Sequence, residues 1–516
     1  MGEFSFNLID EPWIPCVIQS GEYKEMGLKE LLLSAHDISG FDLQNPLEEA
    51  ALYRMLLALV HRIVDGPKDT MAWKELYQSE EFKESKVIEY FEKWHSRFDL
   101  FSEEYPFYQT AGLEIIDKDK KSSPVQISSI QTAKANGNTK TLFDHSLDRE
   151  VLSLPPKEVA LILLSAQGYL MGGLNKKTTN FFDYQQSFLH GSMVTGLFCL
   201  LMGANLFNTL TLNMLICNAD KPIPSQPNDC PVWERDDIGG EGIATPTGYF
   251  NYLTCKTRHI SLIPEMDNNG TPMVRRLHIA QGESFPDVRS PFGIIRENKK
   301  GEIYSVQLEP ERMIWRDSSA FFTFGPDADE RPKAFRHIGN ARLKRLVSLP
   351  ERHRCAIYAL ANDKANPLAW RKEMLSIPTD LLAEKKLVDS LRKGLSLIED
   401  GASVLDYAGK SFIRECLPEN SKEAEIRSKA ESCGFMMIYW DQMESAFHNF
   451  IMVVDQGDVS FQELKKRIKT IARNAFKTGI EQRYMSSART YRSWVRASGL
   501  LNSGLAKRLK TGGEQQ

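Results

Sequence analysis

The chain has 516 residues, of which 42% are hydrophobic and 26% are charged. This composition excludes a protein that is disordered as a whole, and the length predicts two or three domains rather than one core. The net charge of -4 excludes a polycation, so any surface for nucleic acid must be a local patch of Lys and Arg.

The first part of the chain predicts two strands and a long helix. Residues that favour strands occupy Phe4–Leu8 and Trp13–Ile18. The segment NPLEEAALYRMLLALVHRIVDGP then predicts a helix, because Asn45 can cap it and Pro46 suits the first helical position. Its apolar residues recur at intervals of three and four, so we expect one face in the core.

Three more helices and a region of strands are predicted up to Phe324. The segment PPKEVALILLSAQGYLMGG predicts a buried helix that runs into Gly172 and Gly173, and GSMVTGLFCLLMG and GANLFNTLTLNMLIC predict the next two helices. From Pro222 onward, runs such as YFNYLTCKT, HISLI and IYSVQL are broken by Gly, Pro, Asn and Asp, which predicts strands and loops.

After Pro378 the pattern becomes helical. The segments LLAEKKLVDSLRKGLSLIEDGASVLDYAGKSFIREC and KEAEIRSKAESCGFMMIYWDQMESAFHNFIMVV each predict one helix. A third opens with a capping box from Ser460 to Glu463, and a last one covers Ala488–Leu509. We therefore predict an α+β fold, with a large mixed domain over residues 1–376 and a C-terminal four-helix bundle over 377–516.

Cysteine spacing and hydropathy predict a protein without disulfides and without a membrane span. The eight cysteines form no CxxC motif, so reduced thiols in the core are expected. The segment 184–219 has no charged residue, but Gln, Asn and His interrupt it, and a spanning helix needs about twenty predominantly apolar residues. The N-terminus resembles no secretory signal, so we expect a cytoplasmic location.

Charge distribution is more informative than enzyme motifs. Phosphate-binding, nucleophile-elbow and zinc-protease motifs are absent from the sequence. Residues 331–354 contain eight Lys or Arg and one acidic residue, and residues 461–510 contain thirteen against two acidic residues, interleaved with aromatic residues. Such runs suit a phosphate backbone, but they also suit a solvated surface or a dock for an acidic protein.

Eight short segments occur in the order found in a known family. They are FNLIDEPWIP, YPFYQT, ANGNTKTLFDH, GANLFNTLTLN, PVWERDD, GYFNYLTCKTRHISLIP, MIWRDSSAFF and ANDKANPLAWR. With them the chain resembles the CasA family, the large subunits of the type I-E CRISPR surveillance complex Cascade. The resemblance runs by motif from residue 4 to about 378, and over the C-terminal bundle by architecture alone.

The resemblance implies a non-enzymatic DNA reader without a cofactor. Such a subunit recognises the short motif that flanks a DNA target (the PAM), starts strand separation and helps to recruit a helicase-nuclease. Its expected partners are double-stranded target DNA, the subunits that hold the guide RNA, and that helicase-nuclease.

The resemblance also assigns roles to short segments. The turn Asn362, Asp363, Lys364, Ala365 matches the family's wedge, and a helix-like tail is expected after it. Its central residue is Lys364 where the family typically has glutamine, which puts glutamine-specific hydrogen bonding in doubt but leaves wedging possible. An ordinary turn that links helices is the structural alternative.

Two glycines and one further loop are carried over in the same way. Gly172 and Gly173 match the family's glycine loop beside the PAM, although they could equally cap a helix. The segment with Asn136, Gly137, Asn138 and Phe143 matches the loop that anchors the subunit near the guide RNA.

The sequence departs from the family at two places. A cysteine cluster found in some members is reduced here to Cys255, so no zinc is expected. A lysine that helps to read the PAM would fall near Gly282–Ser284, where no lysine occurs.

Two rival functions remain open from the sequence. One is a metal-dependent nuclease that uses Asp144, His145 and Asp148, and the other is a purely structural subunit that docks other proteins. A second acidic group, Asp236 and Asp237 near Glu234, could bind Mg²⁺ but is better explained as a solvated turn.

Overall fold

The structure is a computed structural model that describes residues 4–117, 119–132, 152–174, 178–182, 187–219, 221–298, 300–323, 331–484 and 487–510. The chain divides into two compact units. The first comprises the described residues of 1–314 and 325–374, and the second those of 315–324 and 375–516. The predicted α+β character, with a helical C-terminal region, is confirmed.

Helices and strands alternate in the first unit, whereas the described residues of the second are mostly helical. The helices are α1 (Leu28–Leu33), α2 (Pro46–Val64), α3 (Thr70–Gln78), α4 (Glu84–Trp94), α5 (Pro156–Tyr169), α6 (Leu206–Asn213), α7 (Tyr249–Leu253), α8 (Lys333–Leu343), α9 (Lys385–Cys416), α10 (Glu423–Ser432), α11 (Phe435–Ile451), α12 (Asp458–Tyr484) and α13 (Ala488–Arg508). The strands are β1 (Ile14–Ile18), β2 (Tyr23–Met26), β3 (Ile38–Phe41), β4 (Ile115–Ile116), β5 (Val125–Gln126), β6 (Gly173–Leu174), β7 (Thr178–Thr179), β8 (Ser187–Phe188), β9 (Leu197–Met202), β10 (Gly242–Ile243), β11 (Arg258–Met266), β12 (Pro272–Gln281), β13 (Glu283–Ser284), β14 (Ile295–Glu297), β15 (Ile303–Ser305), β16 (Arg352–Asp363) and β17 (Asn366–Pro378).

Helix α2 forms where the sequence predicts it, but more of it is buried than the one face that was expected. The Asn45 side chain accepts a hydrogen bond from the Leu47 amide, and Pro46 is the first helical residue. Nearly every residue of the helix is buried, so it packs on all sides rather than on one face. Each fully buried Leu contributes roughly 1.5–3 kcal/mol.

The sheet that carries the candidate site has the strand order β17-β16-β9. Strand β9 pairs antiparallel with β16, from Leu197 opposite Ala359 to Met202 opposite Arg354. The helix predicted for GSMVTGLFCLLMG is therefore wrong. A short apolar run that is buried on both faces has no periodicity, and here pairing with a distant strand decides its structure.

The region from Pro222 to residue 323 is partly as predicted. HISLI lies in β11, which pairs antiparallel with β12, and IYS lies in β15. YFNYL forms the short helix α7 instead of a strand. The strand predicted at Phe4–Leu8 is not formed, since only an isolated bridge joins Asn7 to Asp99 there.

The second unit contains four long helices, α9, α11, α12 and α13, and the shorter α10. The single helix predicted over 422–454 is wrong, because Gly434 adopts a left-handed φ of 73° and separates α10 from α11. The capping box predicted at Ser460 is also wrong, since α12 begins at Asp458 and the Ser460 hydroxyl donates to the Gly457 carbonyl. Ser487 caps α13 with a capping box to Thr490.

Candidate nucleic-acid interface

The segment 362–365 forms the exposed tip of a β-hairpin. A two-residue turn, Lys364 and Ala365, joins β16 to β17, and the side chains of Asp363, Lys364 and Ala365 are exposed. The Asn362 side-chain amide donates to the Lys364 carbonyl oxygen (2.9 Å), which closes the turn. The expected helix-like tail is wrong, and so is the alternative of a turn that links helices. The residues after the turn form β17.

Lys364 has a left-handed backbone conformation, with a φ of 55°. Two-residue hairpin loops require such positive φ values, although they cost a residue with a Cβ about 1 kcal/mol or more. Among the described residues, the Lys364 side chain has no hydrogen-bond or ion-pair partner. The shape of the turn therefore comes from the hairpin, and the lysine charge is presented to solvent.

The glycine pair lies beyond the end of α5. The helix ends at Tyr169, and its C-cap is Leu170, which has an extended conformation. The predicted continuation of the helix into the glycines is wrong, and so is the C-cap alternative. A Cβ placed at Gly172 would lie 2.8 Å from the Phe188 carbonyl oxygen, so the close approach of two backbones requires glycine there.

The structure brings the glycine pair beside the hairpin tip. Gly173 pairs with Phe188 across β6 and β8. A Cβ placed at Gly173 would lie 4.0 Å from the Ala365 Cβ, which is van der Waals contact. The next residue, Leu174, is 83% exposed. Two segments that are about 190 positions apart in the sequence thus form one surface with small side chains and accessible backbone.

Arg258, which the sequence analysis missed, binds the segment that contains Gly172 and Gly173, called the glycine segment below. Its guanidinium is buried and donates from Nη2 to the carbonyl oxygens of Met171 (3.0 Å) and Leu189 (2.6 Å) and from Nη1 to that of Thr257 (2.8 Å). Its Cζ lies 4.8 Å from the centre of the Phe188 ring. Burial lowers the pKa of the guanidinium to about 9, so it stays charged at neutral pH. The only sequence signal is an arginine directly before the apolar residues of β11.

A histidine beside the glycines is held neutral. The Gly172 amide donates to Nδ1 of His190 (3.1 Å), so that nitrogen must carry no proton. Burial first and the Arg258 charge second lower the pKa of His190, which favours the neutral ring. At neutral pH the ring therefore serves as a hydrogen-bond acceptor for the glycine segment.

The family lysine is expected at Gly282–Ser284. This stretch packs closely against neighbouring backbone. A Cβ at Gly282 would lie 2.0 Å from the Lys256 carbonyl oxygen, and Ser284 is buried. Lys256 itself is turned inward, with Nζ 3.3 Å from the carbonyl oxygen of Gln109. Burial lowers the pKa of Lys256 to about 8. This lysine is therefore unable to replace the missing one at the surface.

The two basic runs differ in the structure. In the first unit, Lys333, Arg336 and Lys344 of the α8 region line a surface groove of about 360 Å³ together with Lys221. In the second unit, several arginines of the basic run are paired with acidic side chains. These pairs are Arg467–Glu463, Arg496–Glu415 and Arg508–Asp400. Part of the charge of the second run is thus neutralised by neighbouring carboxylates.

Comparison with known proteins identifies the family. The sequence model of the family described as CRISPR-associated protein Cse1 matches residues 7–478. The chain belongs to the Cse1 family. A relative from Thermus thermophilus, the CRISPR-associated protein CasA/Cse1, is 28% identical over 494 residues, with 92% of each chain covered. The resemblance to CasA that the sequence segments indicate is confirmed.

Solved structures share the fold. Cse1 from Acidimicrobium ferrooxidans matches with a TM-score of 0.83 at 21% identity, covering 99% of each chain. A chain of a structure described as a CRISPR RNA-guided surveillance complex matches with a TM-score of 0.74 at 20% identity, covering 96% of this chain and 99% of that one. The chain therefore has the Cse1 fold over its length.

The acidic groups considered as metal ligands are engaged otherwise or lie outside the described residues. In this Cse1-family chain, each of the three acids at 234–237 is paired with an arginine. The pairs are Glu234–Arg62, Asp236–Arg97 and Asp237–Arg235. Within the described residues, no group of three or more His, Cys, Asp or Glu side chains is placed to hold a metal ion. The candidate nuclease residues Asp144, His145 and Asp148 lie outside the described residues.

The remaining predictions concern an anchoring loop and the membrane. Asn136, Gly137, Asn138 and Phe143 also lie outside the described residues. Over the parts of the chain that the structure describes, no helix is both long enough and apolar enough to cross a bilayer.

Proposed function

We propose that this chain is the large, non-catalytic subunit of an RNA-guided CRISPR surveillance complex of the type I-E Cascade class, and that it recognises the PAM in double-stranded target DNA. The observation that carries the proposal is the proximity of Gly173 to the hairpin tip, since a Cβ built at Gly173 would lie 4.0 Å from the Ala365 Cβ. Membership of the Cse1 family supports it, and so does the likeness to a chain of an RNA-guided surveillance complex.

The geometry suits entry into the minor groove. That groove is about 6 Å wide and offers few groups that distinguish base pairs, so a slim backbone with small side chains fits it. The hairpin tip presents such a backbone, and Lys364 adds a positive charge that a narrow groove attracts. Insertion beside a base step costs roughly a few kcal/mol of unstacking, which new contacts to the bent duplex offset. The hairpin tip would thereby start strand separation, and the guide RNA would then read the target.

PAM preference is expected to be relaxed in this chain. No lysine stands at Gly282–Ser284, and the nearby Lys256 is buried. No lysine of this region can therefore donate a hydrogen bond to a base edge of the PAM. Binding of the assembled complex to a randomised PAM library tests this, and a single strictly preferred PAM contradicts it.

The other partners follow from the same proposal. The loop with Asn136, Gly137, Asn138 and Phe143 would anchor the subunit near the guide RNA, and the complex would recruit a helicase-nuclease after strand separation. Co-purification of the chain with guide RNA and the other subunits tests the first of these. Recovery of the chain alone, from cells that express all the subunits, contradicts it.

The decisive experiment changes the turn and a matched turn elsewhere. Lys120 is also exposed and left-handed, with a φ of 61°, and it lies in the turn that follows Asp117. We expect Lys364→Ala to reduce the yield of R-loops formed by the assembled complex, whereas Lys120→Ala, which removes the same charge with the same backbone strain, leaves the yield unchanged. Permanganate reactivity of unpaired thymines measures the yield.

The results of these experiments distinguish the proposed DNA-binding role from its alternatives. Equal yields for Lys364→Ala and the unchanged chain remove the role of Lys364. If Lys364 acts through its charge, the affinity of the assembled complex for DNA falls as the salt concentration rises. An affinity for DNA that does not change with salt contradicts the phosphate contacts. Reproducible cleavage of DNA by the chain with Mg²⁺ or Mn²⁺, abolished by Asp144→Ala, would favour the nuclease instead.

A further inference from the structure

A cavity of about 340 Å³ opens in the first unit, away from the hairpin tip residues themselves. Its lining includes Arg54 of α2, the segment 192–198 that leads into β9, and residues between 286 and 305. This volume lies within the range of small-molecule sites, which is about 300–1,000 Å³. The cavity belongs to neither the glycine pair nor the wedge, and the proposed function leaves it without a role.

Arg54 supplies a buried cation to this cavity. Only 6% of the residue is exposed. Nη1 donates to the Ser192 hydroxyl and Nη2 to the Tyr252 carbonyl, and both of these residues line the cavity too. Among the described residues, Nε has no hydrogen-bond partner. The guanidinium therefore retains hydrogen-bond donor capacity that the described residues do not use.

No negative charge within the described residues balances Arg54. It forms no ion pair with a carboxylate there, and the one carboxylate of the cavity lining, Asp287, is exposed. The buried ionisable groups near it include a thiol and three phenols. They are Cys255, Tyr108, Tyr169 and Tyr249, and burial raises the pKa of each. All four are therefore neutral at pH 7. The Tyr252 ring, whose centre lies 5.0 Å from Cζ of Arg54, compensates part of the buried charge, but none of these groups supplies a full negative charge.

We propose that this cavity binds a small phosphate-class anion, with Arg54 as its counter-charge. A guanidinium fork matches two phosphate oxygens, and the hydroxyls of Ser192, Thr195 and Ser305 stand in the same lining. Tyr304 also lines the cavity and is about half exposed, so its ring can stack on a base attached to the phosphate.

A terminal phosphate fits this site better than one within a strand. The guanidinium is too deeply buried to be reached by a backbone phosphate that carries a nucleotide on each side. The anion is then either a free mononucleotide or the phosphorylated end of a nucleic-acid strand. Both offer the same dianionic group to Arg54.

Calorimetric titration of the full chain at constant ionic strength tests the site. The probes are inorganic phosphate, deoxyadenosine monophosphate, deoxyadenosine, and an eight-nucleotide DNA strand with or without a 5′-phosphate. We expect the monophosphate to bind and deoxyadenosine not to bind. Preference for the 5′-phosphorylated strand over its hydroxyl form assigns the site to strand ends, and binding of the mononucleotide alone assigns it to free nucleotides. Absence of binding by every phosphate probe overturns the proposal.

Variants connect the binding to the cavity. We expect Arg54→Met to weaken binding of the monophosphate at least tenfold. Arg97→Met is the matched control, because that largely buried arginine already pairs with Asp236. Gly196→Leu is expected to narrow the cavity without removing the Arg54 charge, because Gly196 is in the lining and a Cβ there would meet only the Ser305 Cβ, at an ordinary 3.8 Å. The Gly196→Leu variant should also abolish binding of the monophosphate. If Arg54→Met does not fold, this second variant alone tests whether the cavity is the binding site. Unchanged affinity in a folded Arg54→Met or Gly196→Leu variant overturns the proposal.

Discussion

Removing the Arg258 guanidinium should loosen the glycine segment and weaken DNA recognition together. The side chain is 1% exposed and links β11 to the two segments that form β6 and β8. Arg258→Met keeps much of the apolar stem and removes the charge and the donors. Because Gly173 lies beside Ala365, a looser glycine segment also changes the surface that is proposed to meet the duplex.

The magnitude follows from the carbonyl groups that lose their donor. The Thr257 carbonyl keeps the Gly282 amide as a donor (2.9 Å), so the loss of the arginine bond there costs about 0.5–1.5 kcal/mol. Met171 and Leu189 are half-buried, so water replaces the arginine there and each lost bond costs about 0.5–1 kcal/mol. We therefore expect the free energy of unfolding of the first unit to fall by about 2 kcal/mol.

Two measurements check this prediction. Urea denaturation gives the loss of stability, and hydrogen exchange of the Leu189 and Gly172 amides reports the local loosening. The control is Arg276→Met on β12, where a half-exposed guanidinium pairs with Glu265 and should contribute less than about 1 kcal/mol. Equal stability of Arg258→Met and Arg276→Met, with unchanged exchange at 172 and 189, would refute the reasoning.

Two further predictions concern packing and pH. Gly409→Ala should destabilise the second unit by about 1–3 kcal/mol, because a Cβ there would lie 2.1 Å from Cζ of Phe435. Gly499→Ala on α13, where a Cβ meets nothing within 4 Å, should instead stabilise it by up to about 1 kcal/mol. Equal thermal shifts for the two variants contradict the packing argument. Burial lowers the pKa of His61 to about 4 and that of His259 to about 3. In the unfolded chain the imidazole pKa is about 6.5, so below that pH the unfolded chain binds more protons than the folded chain. Stability contributed by these neutral rings is complete above that pH and should fall by roughly 3 kcal/mol between pH 7 and pH 5. Urea midpoints that are flat over this interval contradict the assignment.

Elements with local signals could be predicted from the sequence. Asn45 and Pro46 mark the start of α2 because capping depends on neighbours within one turn. The long helix α9 follows a regular apolar spacing over Lys385–Cys416. The predicted start of α13 at Ala488 is also confirmed, with Ser487 as its cap. Each of these depends on interactions within a few residues.

Elements that depend on distant partners could not be predicted. Leu197–Met202 is a strand because it pairs with β16, about 150 positions later, and its own apolar run has no period. The segment after the wedge turn is a strand because Leu375 and Ile377 alternate with exposed residues, a pattern that the turn residues before it obscured. Arg258 gave no local sign that it would bind carbonyls 70–90 positions away.

The same distinction between local signals and distant partners applies to the candidate site. The resemblance to CasA supplied the glycines and the turn, but neither composition nor spacing places Gly173 against Ala365. That proximity depends on where α5 ends and on how β6 pairs with β8. The sequence could therefore name the residues of the site but not their arrangement.

The hairpin explains how lysine can stand where the family resemblance implies glutamine. The turn is closed by the Asn362 side chain bonding to a backbone oxygen, and its register is set by β16 and β17, so the side chain at 364 contributes nothing to its shape. The left-handed φ of 55° costs lysine and glutamine about the same, because both have a Cβ and an unbranched stem. The substitution therefore exchanges an amide, which donates and accepts hydrogen bonds, for a charge that only donates. In the proposed wedge, lysine therefore keeps the shape of the turn, adds an attraction to phosphate, and loses the ability to accept a hydrogen bond from a base.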